Sequence, residues 1–471
     1  MQARKARSID PPQAVWHHRG WLPLAVMLPK NGPACLPGPP SACCYAPGLS
    51  ARPARAILGR AMLSRAIGVA GLVLAALVAP ATAGGAPPGS ARGAEAVLRA
   101  ELEATLAREH VPGISVALAT RQGVIWSGSV GYANLETRSR THPGYLYGIG
   151  SITKVFVACV VQQLIDEGRL DHDATAASVL GSGPLAGIPN AERATIRQLL
   201  NQTSGVPTWE FDADWIRRGR GADLLVDRPW RKDETLDYIR GDRHKATNEP
   251  GLGYAYSNSN YTILGLVVEK VTGHDLVAEL NTRLFVPLGL ADIHLEGFEP
   301  IDASRLPARY HYATPQFRRD AGLHASFRTV APGLIDVSRS NLSTEWAAGG
   351  LVATAPDLAR FTLALRDGRI LSPAAFARMT TFRPADDPGQ EAGEGLFREP
   401  LAGATLRGYD GGVLGFGAVM GWLEHEDLVI VVMTNVGSMH SGDAAFFPLR
   451  LVRSKGFVNA VRALAAELAP R

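Results

Sequence analysis

The sequence predicts an α+β fold: one antiparallel sheet assembled from both ends of the chain, flanked by N- and C-terminal helices, with a mostly helical domain inserted between its halves. Three observations lead there. β-rich runs arranged as hairpins lie near both ends, stretches of helical spacing sit outside them, and the long middle carries several helix-length periodic segments. With 471 residues, 46% of them hydrophobic, the chain has ample material for a large core.

Residues 1–61 carry scattered Pro and Arg, three of the four cysteines and no sustained periodicity, so they read as a disordered or misannotated leader. From Met62 the pattern changes. Arg65, an apolar run from Ala66 to Ala79 and Ala81-Thr82-Ala83 give residues 62–83 the form of a secretory signal with its cleavage site, and an uncleaved anchor is the competing reading. Export to the periplasm or the exterior follows, with no stable membrane insertion once the signal is cut. The Gly/Ala/Pro-rich stretch 84–93 reads as a linker. The full chain has a formal charge of +4, but residues 1–83 hold nine Lys/Arg and one Asp, which leaves 39 basic against 43 acidic residues beyond them. Nothing in that balance points to nucleic acid. Cys159 then has no intrachain partner, and a disulfide is excluded.

Val97, Leu98, Leu102 and Leu106 place a helix over Ala94–His110. Ile114–Thr120 and Val124–Val130 form a hairpin about Arg121–Gly123, and Gly417–Glu424 with Leu428–Thr434 form another about His425–Asp427. Val452–Leu468 is the closing helix. Further helices are expected at Ala194–Ser204, Asp233–Ile239, Asn260–Thr272, His274–Leu284 and Asp357–Arg366, with Trp209–Lys232 and Pro300–Ser343 as irregular loops. The sheet domain then comprises residues 94–150 and 386–471, and the helical domain residues 151–385.

The segment Tyr147–Leu170 organises the rest. Apolar residues at Val155, Phe156, Cys159, Val160, Leu164 and Ile165 mark a largely buried helix ending near Gly168, which leaves Ser151 at its N-terminus. Free backbone N–H groups there favour a deprotonating hydroxyl and a developing oxyanion. Lys154 lies one turn on along the same face, within reach of the Ser151 oxygen. A serine beside a buried lysine is a known way to make a hydroxyl nucleophilic. Further on, Tyr256-Ser257-Asn258 follows a Pro/Gly turn and precedes a helix, so a phenol and an amide can point into one cleft. By itself each motif has a plainer reading, a helix cap with an incidental lysine or a packed tyrosine.

Taken together, Ser151-x-x-Lys154, Tyr256-x-Asn258 and the glycine-rich run Arg407–Phe416 resemble the serine β-lactamase and penicillin-binding protein superfamily, and more narrowly the branch of class C β-lactamases, D-Ala-D-Ala carboxypeptidases and related esterases. Leu199–Pro207, Pro287–Leu290 and Gly349–Ala359 support the likeness, which runs from about Ala94 to the C-terminus. The resemblance implies a β-lactamase/transpeptidase-like fold and an exported serine hydrolase working through a Ser151 acyl-enzyme on a small ester, peptide or β-lactam. Ser151, Lys154 and Tyr256 would be catalytic, Asn258 would orient the substrate amide and Lys154, and the N–H groups of Ser151 and Gly412 would form the oxyanion hole. Gly411 would keep the strand bare for substrate. An adjacent ammonium should lower the Tyr256 phenol, and which of Lys154 and Tyr256 is the base stays open.

The family's Lys-Thr-Gly or His-Thr-Gly falls on Tyr409-Asp410-Gly411, and a neutral phenol offers no positive charge to a substrate carboxylate unless Arg407 or Arg398 supplies it. Gln202 stands where relatives often have histidine, with a structural role expected. The implied activity is that of a carboxypeptidase or esterase, with a class C-type β-lactamase and a non-catalytic cell-wall peptide or penicillin-recognising protein as alternatives. An α/β-hydrolase is a rival reading that the lack of a Gly-x-Ser-x-Gly elbow counts strongly against. The twelve histidines form no ligand cluster, so no metal or other cofactor is implied.

Overall fold

A computed structural model describes residues 91–401, 403–442, 444 and 446–469. The readings of 1–61 and 62–83 and of most of the 84–93 linker lie outside these. Helix α1 (Ala91–Glu109) leads into strands β1 (Gly113–Thr120), β2 (Gly123–Asn134) and β3 (Ser139–Arg140). Near the other end come β4 (Arg383–Pro384), β5 (Glu391–Ala392), β6 (Phe397–Leu401), β7 (Ala404–Val413), β8 (Phe416–Leu423) and β9 (Val429–Thr434). They form one nine-stranded sheet in the order β4-β5-β6-β7-β8-β9-β1-β2-β3, with every pairing antiparallel. The seam between the two ends of the chain is the β9–β1 pair, where Ile114 faces Thr434 and Ala119 faces Val429.

Alternation along the central strands divides the core. Ala117 and Ala119 of β1 and Val429, Val431 and Met433 of β9 pack on the side of helix α2 (Thr153–Asp166), while Ile114, Val116, Leu118, Ile430 and Val432 face the opposite layer, which holds Leu98 and Leu102 of α1 and the C-terminal Phe457 and Val461. The period-two pattern thus builds two apolar layers from one sheet. Helix α2 is buried on almost every side, from Val155 to Val161 without a break, as expected of a helix that is apolar all round. Helices α3 (Asn258–Thr272) and α4 (Ala355–Arg366) pack in the same layer.

Several elements differ from the sequence expectation. The predicted Ala194–Ser204 helix is reduced to Ile196–Leu200, because Thr195 and Gln198 form a capping box at its start and Gln202 takes a left-handed φ of 62° just past its end. The closing helix α5 begins three residues later than expected (Lys455–Leu468), after a separate short helix, Phe447–Val452, that the sequence reading did not include. The supposed loop Trp209–Lys232 contains a helix, Ala213–Arg220, capped by Asp212, whose carboxylate takes the Asp214 and Trp215 amide hydrogens. The sequence hides it because one of its inward residues is an arginine. Pro300–Ser343 likewise contains strands Tyr310–Tyr312, Arg328–Ala331 and Leu334–Asp336, which join Val436–Gly437 in a small sheet. Runs of three or four residues are too short to show a period. No helix among the described residues is long and apolar enough to cross a membrane.

Candidate active site

The chain enters α2 through a single 3-10 turn, Gly150–Ile152, so Ser151 stands at the N-terminal end of a continuous helical rod. Gly150 has φ of 53°, and a methyl group on it would come within 2.8 Å of the Gly412 amide nitrogen. A methyl group on Gly411 would lie 2.0 Å from the Ile149 carbonyl oxygen and 2.6 Å from the Ser151 nitrogen. Two bare glycines therefore let β7 lie directly against the serine turn, which brings the Ser151 and Gly412 amides into one place. The β6–β7 ladder ends at Phe397–Gly408, so this part of β7 has β8 alone beside it in the sheet.

Ser151 is half-buried, whereas Lys154 is completely buried. Lys154 Nζ lies 3.0 Å from Ser151 Oγ, 2.6 Å from Asn258 Oδ1 and 2.6 Å from the Ala348 carbonyl oxygen. The Tyr256 phenol donates to Ser151 Oγ at 2.6 Å, and its ring centroid is 5.0 Å from Nζ. Asn258 Nδ2 donates to Glu210 Oε2 at 2.5 Å, which fixes the amide with its oxygen towards the lysine. Burial pulls the Lys154 amine down to about 7, against the opposing fields of Glu210, Glu345 and Asp410. The neutral amine has two hydrogens. Asn258 Oδ1 and Ala348 O can only accept, so they take both, and the lone pair is left facing Ser151 Oγ.

The Tyr256 phenol moves the other way from the sequence expectation. Burial, reinforced by Glu210, pushes it well above its ordinary value, and the Ser151 hydrogen bond only partly opposes this. Tyr256 is therefore a proton donor at neutral pH, and the expectation of a lowered phenol is corrected.

All seven residues singled out from the sequence fall in this region, but in unequal roles. Both ends of the Asn258 amide are engaged by Lys154 and Glu210. Tyr409 is buried and stacked on Phe397, with ring centroids 4.3 Å apart and planes at 14°. Its phenol is held neutral by burial. Neither arginine substitutes for the missing cation: Arg398 pairs with Glu424 and Glu391, and Arg407 pairs with Glu424 and lies over Phe382. Gln202 has the structural part expected of it, its Oε1 accepting from the Ser257 amide at 3.1 Å and Asn260 Nδ2 at 2.5 Å beside the Tyr256 loop. Glu210 and the Ala348 carbonyl were not identified from the sequence. A backbone acceptor leaves no side-chain signature, and Glu210 lies in the stretch read as a loop. Among the described residues, no group of three or more His, Cys, Asp or Glu is placed to hold a metal ion.

A profile of the Beta-lactamase family matches residues 98–451. In structure the chain is similar to the D-amino acid amidase from Ochrobactrum anthropi SV3 complexed with L-phenylalanine amide, with a TM-score of 0.66 and 26% identity, covering 80% of this chain and 98% of that one. In sequence it is similar to the unguisins hydrolase ungD' of Aspergillus campestris (strain IBT 28561), 25% identical over 369 residues, 73% of this chain and 62% of the other. It is also similar to Protein flp of Staphylococcus aureus (strain MW2), 27% identical over 187 residues, 40% of this chain and 35% of that protein. The chain thus matches about a third of the length of the latter and less than two thirds of the former.

Proposed function

From the premise that the chain belongs to the Beta-lactamase family, we propose that it is a serine acyl hydrolase with Ser151 as nucleophile. The observation that carries this reading is the convergence on one hydroxyl: Lys154 Nζ at 3.0 Å, with both its hydrogens engaged elsewhere, and the Tyr256 phenol at 2.6 Å. Lys154, as free amine, takes the Ser151 proton while Oγ bonds to the substrate carbonyl carbon. The oxyanion is received by the Ser151 and Gly412 amides, each such donor supplying about 3 kcal/mol of transition-state stabilisation. On collapse the carbonyl-to-leaving-group bond breaks, Tyr256 gives its proton to the departing nitrogen or oxygen, and the Lys154 ammonium restores it. Water then attacks the acyl-enzyme with Lys154 again as base; the Oγ–carbon bond breaks, the acid departs, and the Lys154 ammonium returns its proton to Ser151 Oγ.

The substrates we propose are amides or esters whose acyl part carries no carboxylate. Where relatives place lysine or histidine there is the neutral, stacked Tyr409, and Arg398 and Arg407 are bound to carboxylates. Glu210 and, more weakly because Arg220 pairs with it, Glu345 favour positive charge near Lys154 instead. An acyl group bearing an amine, as in an amino acid amide, suits that field. Similarity to an enzyme titled D-amino acid amidase supports the same class. The signal-like residues 62–83 support action outside the cytoplasm.

The test is a panel of D-phenylalanine amide, a p-nitrophenyl ester, a D-Ala-D-Ala peptide and nitrocefin, with a fluorophosphonate label, on wild type and Ser151→Ala. The amide and the ester should be turned over faster than the peptide and nitrocefin, and the alanine variant should lose both turnover and label. Undiminished turnover by Ser151→Ala overturns the mechanism, and faster cleavage of the peptide overturns the substrate class.

A further inference from the structure

A single segment, Trp209–Arg220, reaches both acceptors that hold the Lys154 amine. At its start, Glu210 takes the Asn258 Nδ2 hydrogen and so turns Asn258 Oδ1 to Lys154. At its end, Arg220 pairs with Glu345; the two side chains are 2% and 4% exposed, and the guanidinium lies 4.7 Å from the Trp215 ring centroid. Trp215 Nε1 donates to Thr344 Oγ1 at 3.1 Å. Thr344 and Glu345 open the helical turn Trp346–Gly349, where the Glu345 carbonyl oxygen accepts from the Ala348 amide at 2.8 Å and the Gly349 amide at 3.1 Å. That turn presents the Ala348 carbonyl to Lys154 Nζ. Trp346 has φ of 34°, a conformation costly for a bulky side chain that persists only where its surroundings enforce it.

We infer that Arg220 and Glu345 are positioning residues for the Ser151 reaction: the buried pair clamps the turn whose Ala348 carbonyl takes one hydrogen of Lys154, and its two opposed charges balance the field around that amine. This inference rests on the reading of Lys154 as base. A buried ion pair is a weak source of stability compared with apolar side chains of the same volume, so stability alone does not account for one beside the base. The carboxyl groups facing Lys154 are Glu210 from the Trp209–Phe211 turn, Glu345 from the start of the Trp346–Gly349 turn and Asp410 from β7, the last pushed up to about 7 by burial, together with the rings of Tyr256 and Tyr261 at 5.0 and 5.7 Å. Tyr256 and Tyr261 are kept neutral, as are His311 and His440, whose imidazoles are pushed down to about 3 by burial, with Arg220 adding to the effect. Arg220 is thus the cation that offsets Glu345.

The experiment is the pH profile of kcat/KM and kcat for a p-nitrophenyl ester, using the full chain and following fluorophosphonate labelling of Ser151. Activity rises as Lys154 loses its proton. Glu345→Gln keeps the shape and an acceptor for Arg220 but removes an anion that favours the ammonium, so the acidic limb should move to lower pH by about one unit, an approximately tenfold gain on that limb. Arg220→Met leaves Glu345 unopposed and should move the limb to higher pH by a similar amount, and the double variant should return it towards wild type. In each case kcat at the plateau should fall several-fold with KM nearly unchanged, because neither residue touches substrate. Three limbs that coincide with wild type, with Ser151 still labelled, overturn this inference alone; absence of label on wild-type Ser151 overturns it together with the proposed function. If Arg220→Met does not fold, Glu345→Gln and the double variant decide.

Discussion

The two ends of the cleft treat charge in opposite ways. Around Ser151 an amine is fully buried, its hydrogens are matched to two carbonyl oxygens, and Glu210 and Glu345 contribute to its field, with Asp410 beyond them pushed up to about 7 by burial. Around Tyr409, where relatives in this superfamily offer a cation to the substrate, a phenol is stacked on Phe397 and the Arg398 and Arg407 guanidiniums are held by Glu424 and Glu391. On the proposed reading, charge is concentrated on activating the nucleophile rather than on gripping a substrate anion. The two ends therefore differ in how much change they tolerate. A displaced Lys154 loses its aim, whereas a changed Tyr409 alters which acyl groups are held.

Breaking the Ser151 end should have the largest effect. Lys154→Met should lower kcat by about a thousandfold at pH 7.5, in the range of a lost general base, and should abolish the acidic limb near pH 7; steady-state kinetics from pH 5 to 9 measure both. Tyr256→Phe should cost less, about a hundredfold in kcat, and leave that limb in place, because the phenol is a donor and not the group titrating there. If the limb disappears with the hydroxyl, the assignment of base and donor is reversed. The smallest change should come from the other end. Tyr409→His restores a cationic option, and the ratio of kcat/KM for a D-Ala-D-Ala peptide to that for D-phenylalanine amide should rise about tenfold, and further as pH falls and the buried imidazole gains its proton. Loss of the Phe397 stacking should lower stability by about 1 kcal/mol, readable as a fall in Tm.

Much of this was legible in the residues. The glycines before Ser151, the helical spacing behind it and Lys154 one turn on are local patterns, and the turn before Tyr256 and Asn258 is another. Both hairpins followed from β-rich runs on either side of turn residues, since β1 and β9 are continuous runs of eight and six residues, buried on both faces. What escaped was held by distance and burial. Arg220 faces inward from a helix whose charge makes it look solvated, and its partner Glu345 lies far along the chain. The shift of Tyr256 was misjudged for the same reason: an adjacent ammonium is easy to infer from a motif, but the burial and the Glu210 carboxylate that outweigh it belong to the assembled cleft. Gln202, by contrast, was assigned a structural part from its place in a motif, and its left-handed backbone and two accepted hydrogen bonds are consistent with that.

The bare contact between Gly150 and β7 has a consequence for synthesis. The serine turn precedes in the chain the strand carrying Gly411 and Gly412, which is seated by β8 and β9, and these join the sheet at β1. On the proposed reading, a polypeptide still emerging from the ribosome has its nucleophile before it has the Gly412 amide, and completes the pair only when the β8–β9 hairpin docks on β1. The onset of turnover would then time the docking of that hairpin.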